Sequence, residues 1–173
     1  MSLRKFLVVF FYFSLFTFNL NGQVSFKKIN GIKANYSITI PENYSSKATI
    51  GLNVDFKYVN SDGASIVSLI KKIDKNLGDY ELNELVEIDE IEFKNQLEST
   101  GLENLKINKR GFIEIDQRKT FYTIYNDGVT YFYSIIQFRS GTLVNITYSC
   151  LFQKRFEYLP VINRVLNSLK FID

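Results

Sequence analysis

Hydrophobic and polar positions alternate most regularly in "YFYSIIQFRSGTLVNITYSCLF", Tyr131 to Phe152, and this period of two predicts a pair of strands. Ser140-Gly141 supplies the turn signal between them. A two-residue turn there sets Phe138 opposite Leu143, Ile135 opposite Ile146, Tyr133 opposite Tyr148 and Tyr131 opposite Cys150. Val144, Ile146, Tyr148 and Cys150 then share one face with Tyr131, Tyr133 and Ile135. Asp127-Gly128 is a second two-residue hairpin signal, and it adds Tyr122 and Ile124 to that face. The other face takes Phe121, Thr123, Tyr125, Phe132, Ser134 and Ile136, with Asn145, Thr147 and Ser149 in a polar row. Strand 131–138 is thus apolar on both sides, as expected of a central strand covered by helices on each face.

Upstream, Tyr36 to Tyr44 reads as a strand stopped by Pro41. Leu52, Val54, Phe56 and Tyr58 alternate with Asn53, Asp55 and Lys57, which is the period of a strand. Asn60-Ser61-Asp62-Gly63 predicts a hairpin turn with Gly63 at positive φ. The run Ala64–Ile73 also fits helical spacing; its β-branched content favours a strand. In "IDEIEFKNQLESTGL", Asp89 can cap a helix with Glu92 three residues on, Phe93 and Leu97 share a face, and Gly101 can end it. The final stretch from Lys154 predicts a helix striped by Leu159, Ile162, Val165, Leu166 and Leu169, with Pro160 tolerable only in its first turn.

The first residues change the picture of location. Arg4 and Lys5 precede a mostly apolar run, Phe6 to Phe18, and a polar stretch ending on Gly22. This is the layout of a secretory signal peptide over 1–22, leaving 23–173 as a single domain in the periplasm or outside the cell. The apolar run falls short of the roughly 20 residues that cross a bilayer, so no stable membrane span is expected after cleavage. Without Arg4 and Lys5, 19 basic residues face 18 acidic ones, a net charge of +1 that gives no reason to expect nucleic-acid binding.

Composition also removes chemistries. The chain has no histidine, which excludes Ser-His-Asp and Cys-His catalysis within one chain and histidine-containing zinc sites. Its one cysteine cannot form an intramolecular disulfide. Cys150 lies on the apolar face with no basic residue to lower its pKa, so it is read as a packing residue. Asp79 to Glu103 holds nine acids and one lysine but no Asp-x-Asp-x-Asp-Gly loop for calcium. That acidic stretch reads as a solvated helix beside a basic edge hairpin carrying Lys106, Lys109, Arg110, Arg118 and Lys119. Phe132, Ser134, Asn145, Thr147 and Ser149 form the candidate ligand-binding set: either a solvated margin or the polar wall of a cleft.

The order of elements resembles the PsbP-like superfamily. The resemblance rests on the "IPENY" strand end, the strand pair, the middle helix, the meander and the closing "VINRVLNSLKF"; "EFKNQLESTGLENLKI" is also similar to small exported bacterial proteins of uncharacterised function. It covers most of 35–171 and implies an α+β fold, an antiparallel sheet flanked by helices in an α/β/α sandwich. The superfamily uses that fold mainly for binding and assembly, and no catalytic motif carries over. The expectation is a non-enzymatic binding or accessory domain of the cell envelope, without cofactor or metal, that takes a protein partner or a small ligand. The alternatives are a hydrolase built on two carboxylates about 5–10 Å apart across a cleft, and a purely structural envelope component.

Overall fold

The computed structural model describes residues 24–74 and 78–172, with side chains from 82 onward in the first helix. The expected leader, 1–22, lies outside the described residues. Among the described residues, ten strands run β1 (Phe26–Asn30), β2 (Tyr36–Pro41), β3 (Ser45–Ser46), β4 (Val54–Val59), β5 (Ser65–Lys72), β6 (Lys106–Ile115), β7 (Arg118–Asn126), β8 (Thr130–Arg139), β9 (Thr142–Leu151) and β10 (Lys170–Phe171). Helices α1 (Gly78–Glu87) and α2 (Glu90–Glu98) fall between β5 and β6, and α3 (Arg155–Leu166) follows a short 3-10 turn after β9. Seven strands form the main antiparallel sheet in the order β3-β4-β5-β9-β8-β7-β6, while β1, β2 and β10 form a small second sheet.

The β8–β9 register is the predicted one, with Ile135 opposite Ile146 and Tyr131 opposite Cys150. Ser140 and Gly141 both have positive φ, as a turn matched to strand twist requires. The β7–β8 loop is longer than predicted, because Asn126 pairs with Tyr131 and four residues connect them. Asp127 Oδ1 accepts from the backbone N–H groups of Val129 and Thr130 at 2.8 and 2.6 Å, which closes this longer turn. A slip of two residues preserves the faces, so Tyr122 and Ile124 stay where the pattern put them.

Ala64–Ile73 is resolved in favour of a strand, β5, which pairs with β4 and β9. Asp89 caps α2 by accepting from the N–H groups of Ile91 and Glu92, and Gly101 has φ +92°. Helix α1 and strands β1 and β10 were not in the sequence pattern. Pro160 sits in the second turn of α3 rather than the first. It follows the 3-10 turn Phe152–Lys154, and the helix is held by Ile162, Val165 and Leu166, which are buried.

Two cores lie on the two faces of the sheet. The larger packs Ile66, Ile70, Ile135, Val144, Ile146, Tyr148 and Cys150 against α3 and the small sheet, where Tyr36, Ile38 and Ile40 are buried. The smaller packs Leu82 of α1 and Phe93 of α2 on Phe121, with Phe112, Ile136 and Phe138 around them. Strand β8 therefore carries helices on both faces, as its two-sided apolar pattern predicts.

Cys150 is buried in the larger core, and burial pushes its thiol up to about 11. We predict that an uncharged thiol reagent modifies the native protein only as fast as the protein unfolds. Rapid stoichiometric labelling at neutral pH, before any loss of circular dichroism, would show the thiol to be accessible and the packing assignment wrong.

Candidate functional site

The five residues expected to line a site do come together on the face opposite Cys150. Across the sheet, β5, β9, β8 and β7 place Ser65, Ser149, Phe132 and Tyr125 in one row. Val67, Thr147, Ser134 and Thr123 make the next row, and Leu69, Asn145, Ile136 and Phe121 the third. Ser134 Oγ donates to Asn145 Oδ1 at 2.8 Å, and Thr147 Oγ1 donates to Ser134 Oγ at 3.0 Å. Ser65 and Ser149 hydroxyls meet at 2.8 Å. Phe132 stacks on Tyr125 with centroids 4.7 Å apart and planes 11° off parallel. Burial pushes the Tyr125 hydroxyl up to about 12, so it is a neutral ring at physiological pH.

Helices α1 and α2 pack over β6–β8 and stop there. Their hold on that side includes Arg110, whose guanidinium donates to the carbonyls of Leu85 and Ile88 at the end of α1 and lies 5.0 Å from the Phe93 ring. A cation on those carbonyls satisfies groups that a helix end leaves unpaired. Lys119 Nζ similarly donates to Asn83 Oδ1 at 2.5 Å. These two cations of the edge hairpin thus serve helix docking. On β5 and β9 the same face stays partly open, with Leu69 37% exposed and Val67, Asn145, Thr147 and Ser149 half-buried. Asn145 keeps its amide nitrogen without a partner among the described residues. The set offers hydroxyls, one amide and stacked rings, with no carboxylate, thiol or cation among them. It is equipped to hold a partner by hydrogen bonds and apolar contact.

Hollows lie at one end of the sheet and along the edge of this face, where Lys71 of β5 meets α1 and α2. A cavity of about 420 Å³ at one end of the sheet is lined by Lys33, Asn35, Lys72, Arg139, Thr142 and Phe171. Lys72 Nζ donates to Thr142 Oγ1 at 2.7 Å, and the Arg139 guanidinium lies 5.8 Å from the Phe171 ring. The convergence of these cations was not read from the sequence. Its only local trace is the doublet Lys71-Lys72 and the placing of Arg139 before a turn; bringing them together takes the β5–β9 pairing. A groove of about 580 Å³ is lined by Glu84, Glu87, Glu92, Gln96 and Lys71. Its three glutamates are exposed, unlike a general acid held away from water.

Solved structures share this architecture. The cyanobacterial PsbP (CyanoP) of Synechocystis sp. PCC 6803 aligns over 89% of this chain and 96% of its own, at 11% identity and a TM-score of 0.65. This is the PsbP-like fold. The Ran-binding protein Mog1p of Saccharomyces cerevisiae is similar over 87% of this chain and 97% of its own, at 9% identity and a TM-score of 0.55. LpqN of Mycobacterium tuberculosis, involved in cell envelope biogenesis, is similar over 88% and 94%, at 8% identity and a TM-score of 0.54. No family profile and no curated protein sequence matches the chain. At these identities the PsbP-like fold is what the chain shares with them; function has to come from the faces described above.

Proposed function

We infer that this is an exported, non-enzymatic binding or accessory domain that docks a protein partner on the uncovered half of its main sheet. The observation that carries the reading is the stopping of α1 and α2 over β6–β8, which leaves Val67, Leu69, Asn145, Thr147 and Ser149 open on β5 and β9. The open strip on β5 and β9 borders the groove where Lys71 meets α1 and α2, and a broad exposed strip of hydroxyls and aliphatic groups suits a protein partner. Ser134, Thr147 and Asn145 already fix one another's rotamers, so little side-chain freedom is lost on docking. The Ran-binding description of Mog1p and the envelope role of LpqN agree with a binding or accessory part for this fold. Export is supported by the signal-peptide layout of 1–22, and no helix among the described residues is long and apolar enough to cross a membrane.

The test is retention of a partner from the envelope fraction by the wild type and by Leu69→Glu/Ser149→Arg. Both substitutions fall on exposed or half-exposed positions of this face, so folding should hold within about 1 kcal/mol. The partner retained by the wild type should bind the variant more weakly by roughly 30-fold or more, the size of a hot-spot loss. Equal retention by both proteins sinks the sheet-face reading, as does repeated failure of the wild type to retain anything.

A further inference from the structure

The end of the molecule that holds the basic cavity also holds the most exposed aliphatic side chains among the described residues. Leu52 is 95% exposed, Ile50 94% and Ile32 80%, and Ile172 beside the cavity is half exposed. They belong to loops tied together at that end. Lys33 Nζ donates to the carbonyls of Leu52 and Val54 at 2.8 and 2.5 Å, and Ile172 N–H donates to the Asn35 carbonyl at 3.0 Å. Ile70 N–H donates to the Asn53 carbonyl, and Ile73 N–H to that of Gly141. Aliphatic tips therefore surround an opening lined by Lys33, Lys72 and Arg139.

We propose that this end is a docking surface for an anionic lipid bilayer, with Ile32, Ile50 and Leu52 entering the interface and a lipid phosphate taken by Lys33, Lys72 and Arg139. Two observations choose a membrane over a protein. The apolar groups are isolated aliphatic fingers on loop tips, whereas protein interfaces favour aromatic residues on a continuous patch. They also come with cations whose charge complements an anionic surface, the combination that holds interfacial proteins on membranes. Of the described carboxylates at this end, Asp55 is buried under its own hydrogen bonds, Asp116 lies 3.9 Å from Lys170, and Asp74 has a partner of its own. The surface is separate from the sheet face assigned above to a protein partner and does not depend on that assignment.

The experiment is co-sedimentation of the full chain with vesicles of phosphatidylcholine alone and of equal parts phosphatidylcholine and phosphatidylglycerol. Any contribution of 1–22 is common to all forms, so the readout is the ratio between wild type and variants. Ile50→Ser/Leu52→Ser should partition at least about 10-fold less onto the mixed vesicles. Lys72→Gln/Arg139→Gln should lose roughly 30-fold, near the sum of two charges at such a surface. Wild-type binding to phosphatidylcholine alone should be weak, and binding to mixed vesicles should fall with added salt. Circular dichroism of both variants should match the wild type, and a variant that fails this is replaced by its single substitutions. Equal binding to both vesicle types overturns the proposal, as does unchanged binding of the Ile50/Leu52 variant. If inorganic phosphate binds the cavity while no form discriminates between the vesicles, the site serves a soluble anion and the membrane assignment is wrong.

Discussion

Asp55→Ala lowers the free energy of unfolding by about 3–5 kcal/mol, a large share of the stability of a domain this size. Asp55 is 3% exposed, and its carboxylate accepts from the backbone N–H groups of Ile32 and Lys33 at 3.1 and 2.7 Å. Tyr36 Oη lies 2.5 Å from Asp55 Oδ2 and 2.6 Å from Ser68 Oγ. A carboxylate can only accept, so Tyr36 donates to Asp55 and the Ser68 hydroxyl donates to Tyr36. Alanine would strand two backbone donors and a buried phenol at once, each a cost of about 1–3 kcal/mol. The loop passes close over this phenol, since a Cβ on Gly31 would stand 2.2 Å from the Tyr36 ring. Asp55→Asn keeps one acceptor oxygen and should cost about half as much. Urea unfolding of the three proteins measures the series. Equal midpoints for wild type and Asp55→Ala would mean that the 31–35 loop is not anchored through this carboxylate.

That network also shows where the sequence could be read and where it could not. Alternation over 52–58 sends Asp55 outward with Asn53 and Lys57 and turns Leu52 inward. A bulge between Val54 and Phe56 reverses this: Val54 pairs with Leu69 on the open face, Phe56 with Ser68 on the core face, and Asp55 turns inward. Leu52 is left 95% exposed beyond the strand. One extra residue in a strand is invisible to a period of two, because each half still alternates. The β8–β9 hairpin was legible for the opposite reason. Its turn sits between two long uninterrupted runs, so register and faces followed from local pattern alone. The candidate row at Ser134, Asn145, Thr147 and Ser149 inherited that register, and its neighbours on β5 came from a pairing with no local signal. Helix α1 was missed because its apolar residues Leu82, Leu85 and Val86 are diluted by acids, and only the docking of Leu82 on the second core makes it a helix worth forming.

The second large effect is expected at high pH, where the protein should unfold in a single step rather than titrate residue by residue. Burial raises the hydroxyls of Tyr36, Tyr44 and Tyr148 well above the ordinary tyrosine value, and pushes Tyr125 up to about 12. Tyr131 and Tyr133 are raised as well, again chiefly by burial. These groups are neutral when protonated. Once the pH passes about 10, the unfolded chain releases their protons while the folded chain retains them, so stability falls as pH rises. The contribution is fully present below that pH and is lost as the pH climbs through the folded-state values. Tyr125 alone spans two pH units, about 3 kcal/mol. Tyr44 and Tyr148 share a hydrogen bond between their hydroxyls, so their ionisations are coupled and belong to the pair. The raised hydroxyls of Tyr36, Tyr44 and Tyr148 act in the same direction, so the protein should unfold before they ionise in place. Tyrosinate absorbance from the buried residues should rise above about pH 10 and together with the loss of circular dichroism. Tyr125→Phe should move this coupled rise to higher pH, because it deletes one ionisation and Tyr125 makes no side-chain hydrogen bond with a described residue. A single smooth titration of every tyrosine near pH 10 with the dichroism intact would mean that these rings are open to water and that the two cores are not packed as described.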